Sequence, residues 1–135
     1  MKTIFFILPV MLLMVSCGED TLMKLETTIG TSFVISAPAE VTLKENGARL
    51  YFSNFTNYRI NSIVISRTYA EVLYNDKKYM VSNIVTCDTC SEKVSLENNL
   101  ELVYEKIIEK TCVSACDNNA EFRIDRAQFV LKSVN

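Results

Sequence analysis

A mainly β chain, folded as a single antiparallel β-sandwich or small barrel behind a cleaved N-terminal signal peptide, is the architecture these 135 residues predict. Three observations point to it. Short runs rich in β-branched and aromatic residues recur at intervals of roughly 8 to 12 residues. Turn residues punctuate the intervals, most clearly Asn46-Gly47, Asn75-Asp76 and Asn98-Asn99. Before them lies one apolar run, Ile4 to Val15, too short to cross a bilayer as a helix, which takes about 18 to 20 residues.

The N-terminus reads as a secretory signal: Lys2 in front, the apolar run with Pro9 inside it, then small residues. Its last part, Leu13-Met14-Val15-Ser16-Cys17-Gly18, resembles the lipobox of bacterial lipoproteins. It departs from that pattern in carrying Met14 where leucine is commonest. The resemblance implies cleavage before Cys17 and acylation of that residue. It gives three segments: 1–16 as signal peptide, 17–30 as a lipidated tether and 31–135 as the β-domain. Each buried methylene of an acyl chain contributes about 0.8 kcal/mol, and stable anchoring needs at least two chains. Gly18-Glu19-Asp20 resembles the acidic export tags of some outer-membrane lipoproteins. The implied location is the cell envelope, lipid-anchored at the outer membrane, facing the periplasm or the surface.

The strands follow in order. Residues 18–30 carry Leu22, Met23 and Leu25 without a sustained period, as a tether running into a first strand. Ser32-Phe33-Val34-Ile35-Ser36 is a short strand broken by Ala37-Pro38-Ala39, since proline lacks the ladder donor. Val41-Thr42-Leu43 and Ala48-Arg49-Leu50-Tyr51-Phe52 flank Asn46-Gly47 as a hairpin, both turn residues tolerating positive φ. Ile60 to Ser66 reads as a strand covered on both faces. Tyr69–Tyr74 and Lys78–Val85 form a second hairpin around Asn75-Asp76-Lys77.

Leu100 to Glu109 is ambiguous. Leu100, Val103, Tyr104, Ile107 and Ile108 would share one face of a helix. As a strand the pattern slips phase near Lys106. Consistency with the surrounding β pattern favours a strand with a bulge. A second phase change, near Asp125-Arg126-Ala127, predicts a bulge or bend in the last strand. Leu102 to Cys112, with Ala120 to Ile124 beyond, resembles a run in small secreted β-sandwich lipoproteins, in which a strand ends in a cysteine-bearing loop and the next strand returns.

Four cysteines remain beyond Cys17: Cys87, Cys90, Cys112 and Cys116. In a reducing cell two such pairs would suit a zinc ion held by four thiolates, or the first pair a redox motif. Outside the cytoplasm disulfides are the default. Three pairings are open. The expectation is cross-pairing between the two motifs, because loops of about 20 to 30 residues would each contribute about 3 to 4 kcal/mol in the chain-entropy picture.

Catalytic chemistry has few candidates. Histidine is absent, which removes the usual general base and the commonest metal ligand. Glycine is too sparse for a phosphate-cradling loop. Glu97, Glu101, Glu105 and Glu109 read as a solvated face, and Asp117-Asn118-Asn119 with Glu121 as a polar turn rather than a calcium loop. Tyr58-Arg59 and Arg67-x-Tyr69 leave an exposed ligand surface open. The formal net charge of −2 offers nothing to nucleic acid. The expectation is a non-enzymatic envelope lipoprotein without catalytic residues, metal or cofactor. It would be a disulfide-stapled binding or assembly module held to the membrane by acyl chains, with an envelope protein or glycan as partner. Thiol–disulfide or metal chemistry at the four cysteines is the alternative.

Overall fold

The structure, a computed structural model, describes residues 22–60, 66–86 and 91–134. The signal sequence, Cys17, Cys87 and Cys90, and most of the strand expected over Ile60–Ser66 lie outside the described residues. The described residues form strands and no helix. In chain order these are β1 (Met23–Thr27), β2 (Ser32–Ile35), β3 (Ala39–Leu43), β4 (Arg49–Phe55), β5 (Tyr58–Arg59), β6 (Arg67–Tyr74), β7 (Lys77–Ile84), β8 (Glu92–Ser95), β9 (Leu100–Ser114) and β10 (Glu121–Ser133).

Two sheets pack face to face. One has the order β2-β10-β9-β8, with β5 also paired to β10; the other runs β1-β3-β4-β6-β7. The predicted sandwich is the fold. The pairs are antiparallel except β1 with β3, which runs parallel from Met23↔Ala39 to Thr27↔Leu43. The cause is a crossover. After β1 the chain passes to the other sheet as β2, then returns through Ala37-Pro38 to lay β3 alongside β1. Met23–Thr27, within the stretch expected as tether, is therefore the edge strand of a sheet.

Alternation explains the burial. In β3, Ala39, Val41 and Leu43 point into the core while Glu40 and Thr42 do not. In β6, Thr68, Ala70, Val72 and Tyr74 are the buried set. Where inward positions of the two sheets meet, aromatic rings fill the space. The Phe129 centroid lies 4.5 Å from that of Tyr104, 4.9 Å from Phe52 and 6.0 Å from Phe55. Burial of each such side chain contributes about 1.5 to 3 kcal/mol.

The turns follow their residues. Asn75 and Asp76 both take positive φ, 52° and 62°, in the two-residue turn between β6 and β7. Asn98 and Asn99 do the same before β9. In the β3–β4 turn only Gly47 has positive φ (73°); Asn46 acts through its side chain, Oδ1 accepting from the Ala48 amide at 2.9 Å. Both predicted phase slips are bulges. Along the β9–β10 ladder Glu105, Ile108 and Val113 are skipped on one strand and Asp125 on the other. Leu100–Ser114 is thus a strand, and its apparent helical face comes from these extra residues.

Candidate functional site

The strand pair β9–β10 outruns its neighbours. Among the described residues, β8 covers β9 from Glu101 to Tyr104, and β2 covers β10 from Ala127 to Val130. Beyond those points the hairpin continues to Ser114 and Glu121, supported by the two-residue strand β5, with Glu121 opposite Arg59 and Phe122 opposite Tyr58. The result is an arm at one end of the sandwich.

The arm is braced from within. Tyr58 stacks on Phe122 at 5.4 Å, and Lys110 Nζ sits 4.8 Å from the centre of the same ring. Arg59 donates to the Asn119 carbonyl at 2.6 Å and to Glu121 at 2.8 Å. Arg126 pairs with Glu109 at 3.0 Å across a bulge. Thr111 donates to Asp125, which with Arg123 holds that carboxyl below the usual aspartate range. At the tip, Cys112 and Cys116 form a disulfide with Cα atoms 5.9 Å apart, and Ala115 between them takes a positive φ of 52°.

This overturns the cross-pairing expected for the cysteines. Cys112 closes on its near neighbour, so the bridge clamps one loop and does not staple distant strand ends. The physical reason is the hairpin itself, whose tip must reverse within a few residues and so brings those two side chains together. Cys87 and Cys90 fall outside the described residues.

The other sequence candidates also find places. Arg67 is paired with Glu92 and Arg59 with Glu121, so neither arginine beside a tyrosine is left for a ligand. Glu97 and Glu101 pair with Lys77 and Lys93; Glu105 accepts from Ser32 at 2.6 Å and Gln128 at 2.9 Å. They are a solvated face, engaged residue by residue. Asp117 to Asn119 lie in the turn at the arm tip and Glu121 opens β10, and among the described residues no group of three or more potential metal ligands occurs.

Sequence reasoning missed a cleft of about 440 Å³ at the root of the arm. It lies between the end of β7 (Asn83, Ile84, then Val85) and the stretch of β9 just past β8 (Glu105–Ile108, Lys110), with Tyr58 among its walls. Its elements are distant in sequence, so the only local sign was the phase slip near Lys106.

Searches against protein-family models, curated proteins and solved structures each found no match.

Proposed function

We propose that this chain is a non-enzymatic, lipid-anchored cell-envelope protein, held at the outer membrane by acyl chains on Cys17, whose sandwich presents the disulfide-tipped β9–β10 arm to an envelope partner, a protein or glycan. The observation that carries the binding role is the arm. A strand pair that extends beyond its sheet, is braced by ion pairs and is clamped at its tip adds little to the core, yet presents a shaped surface.

The route of the chain supports the same reading. Met23 Sδ accepts from the Ser36 amide at 3.5 Å beside the strand end where Ile35 faces Ala127, while Gly30, past the far end of β1, bonds to Leu131. β1 therefore runs away from the arm, and the chain enters the sandwich from the arm's end. Six residues, 17–22, reach at most about 20 Å. An anchor at Cys17 would hold the arm close to the membrane.

Fractionation of cells carrying Cys17→Ala tests the anchor: the variant leaves the membrane fraction with its thermal transition unchanged. A variant that stays membrane-bound rejects the anchored reading. A second reading, thiol–disulfide exchange, is favoured by one observation, the position of Cys116 on the exposed arm tip. Resistance of the Cys112–Cys116 bridge to a glutathione buffer poised near −200 mV argues for the structural role; ready reduction there argues for exchange.

A further inference from the structure

The outer edge of β1 is open. β1 ends its sheet, and among the described residues nothing pairs with its far side. Met23 donates its amide to the Pro38 carbonyl at 3.1 Å, and the Thr27 carbonyl accepts from the Lys44 amide at 3.0 Å. Successive residues of a strand turn their backbone groups to opposite sides. Met23, Leu25 and Thr27 therefore face β3, while Lys24 and Glu26 aim N–H and C=O outward. Such groups are a template for another strand. β1 carries none of the backbone devices that block one: Met23–Thr27 holds no proline, and its ladder with β3 runs without a bulge.

The side chains decide which strand fits. Lys24 and Glu26 are exposed on the outer face, and among the described residues neither has an ion-pair partner within 4.0 Å. Glu40, opposite Lys24 on β3, lies 4.0 Å from Arg49 instead. Leu25, between the two charges, turns to the inner face and is only half-buried. An edge of one sign would repel a second copy of itself. The order Lys-Leu-Glu does the reverse when turned about a two-fold axis. Two-fold pairing of identical edges is antiparallel and isologous. Centred on Leu25, it sets Lys24 opposite Glu26 of the second copy, and Glu26 opposite Lys24. Both positions aim their backbone groups outward, so each pair exchanges its N–H···O bonds. The two Leu25 side chains meet at the intervening site, where Cα atoms lie about 4.5 Å apart. Sliding the centre to Lys24 or to Glu26 brings like charges together, so the charges also select the register.

We propose that β1 is a self-association edge: two copies of this chain join their β1-β3-β4-β6-β7 sheets through antiparallel β1 strands centred on Leu25. The charge order across the joint supports a second copy as the occupant. Within one copy the register aligns Glu40 with Lys24, and Arg49 and Thr42 with Glu26. Across the joint one row on the outer face then reads Glu40, Lys24, followed by Glu26, Thr42 and Arg49 of the second copy, its charges alternating in sign. Opposite charges on neighbouring strands stabilise a sheet, and like charges destabilise it. The edge is five residues long, so the joint is weak in dilute solution and gains where copies are confined to one surface. The inference goes beyond the binding role given to the arm and depends on neither the arm nor the anchor.

Sedimentation equilibrium of the full chain in density-matched detergent tests it. The expected result is a reversible dimer. Lys24→Glu and Glu26→Lys each weaken it roughly tenfold, since both charge pairs across the joint turn from attraction to repulsion. Mixing those two variants in equal parts restores association, and so does the double swap Lys24→Glu/Glu26→Lys; diluted to monomer, all melt with the parent. Carbodiimide treatment of an equal mixture of unlabelled and nitrogen-15-labelled parent joins Lys24 to Glu26 in peptides of mixed isotope, which fixes the register between copies. A chain still monomeric at about 1 mM, association undiminished in the single variants, a mixture that fails to restore it, or a Lys24–Glu26 link confined to single-isotope peptides overturns the proposal. The dimer persists in Cys17→Ala, so this idea and the anchor fail separately.

Discussion

Arg67 and Glu92 join the two sheets across a shared edge, with 2.8 Å between Nη1 and Oε1. Arg67 belongs to β6 in one sheet, Glu92 to β8 in the other. Ser82 of β7 also donates to Glu92. The strands β7 and β8 pack together here without a ladder, and this carboxylate connects them. Hydrogen bonding from Ser82, then the Arg67 guanidinium, holds the Glu92 carboxyl below the usual glutamate range.

A depressed carboxylate pKa means the unfolded state takes up its proton first as pH falls. The stabilisation is present above the unfolded value of about 4.5 and is lost as pH drops through the folded one. Replacing Glu92 with Gln should flatten the fall in stability over that acid range and lower stability at pH 7 by about 1 kcal/mol or less, as for other half-exposed pairs. Urea unfolding at a series of pH values between 7 and 3 measures both; parallel curves for parent and variant would show that Glu92 carries no such linkage.

Tyr104 presents the opposite case. Its ring is sealed in the core, and its hydroxyl has no hydrogen-bond partner among the described residues. The neighbouring Thr68 hydroxyl donates to the Thr56 carbonyl at 2.5 Å. Because a buried unpaired hydroxyl costs about 1 to 3 kcal/mol, Tyr104→Phe should leave the thermal midpoint unchanged or raise it. Burial pushes the phenol well above its ordinary value of 10.0. The unfolded chain thus loses that proton first, and stability falls as pH rises past 10. Ultraviolet titration should show one tyrosine ionising only with alkaline unfolding, a step absent from the phenylalanine variant.

Phe129 touches rings from both sheets. Phe129→Ala would remove the centre of the cluster and leave a void the surrounding strands cannot close. The expected loss is about 3 to 5 kcal/mol in chemical denaturation, against less than about 0.5 kcal/mol for an alanine at solvent-exposed Arg49.

The tip disulfide spans a sequence separation of 4. A loop that short limits the chain-entropy contribution to about 2 kcal/mol. Cys112→Ser/Cys116→Ser should therefore lower global stability by no more than that. Hydrogen exchange should speed up locally, over Val113–Ala120, while β3 and β6 keep their protection. Loss of protection throughout the sandwich would instead mean that the bridge supports the whole fold.

Legibility followed the range of the interactions. Alternation in β3 and β6, the Asn75-Asp76 turn and both phase slips are local, so the residues announced them. Asn46-Gly47 marked its turn correctly, although Asn46 contributes a side-chain acceptor there and only Gly47 the positive φ. β1 was obscured because its alternation, Met23, Leu25 and Thr27 against exposed Lys24 and Glu26, lasts only five residues, and its parallel partner β3 is distant in sequence. The cysteine pairing was missed because spacing alone cannot say that a hairpin reverses between Cys112 and Cys116. The cleft was missed because Asn83–Val85 and Glu105–Lys110 meet only once two sheets have packed.

What the sequence determined by itself is a mainly β domain, sandwich or small barrel, with its hairpins and bulges, since period-2 patterning and turn chemistry are properties of neighbours along the chain. Only tertiary structure decided which strands share a sheet, that β1 and β3 run parallel, that the arm outruns its described neighbours, and that Tyr58, the end of β7 and the middle of β9 border one cleft. Those relations depend on long-range packing, in which residues far apart in sequence become neighbours because each sheet must cover the apolar face of the other.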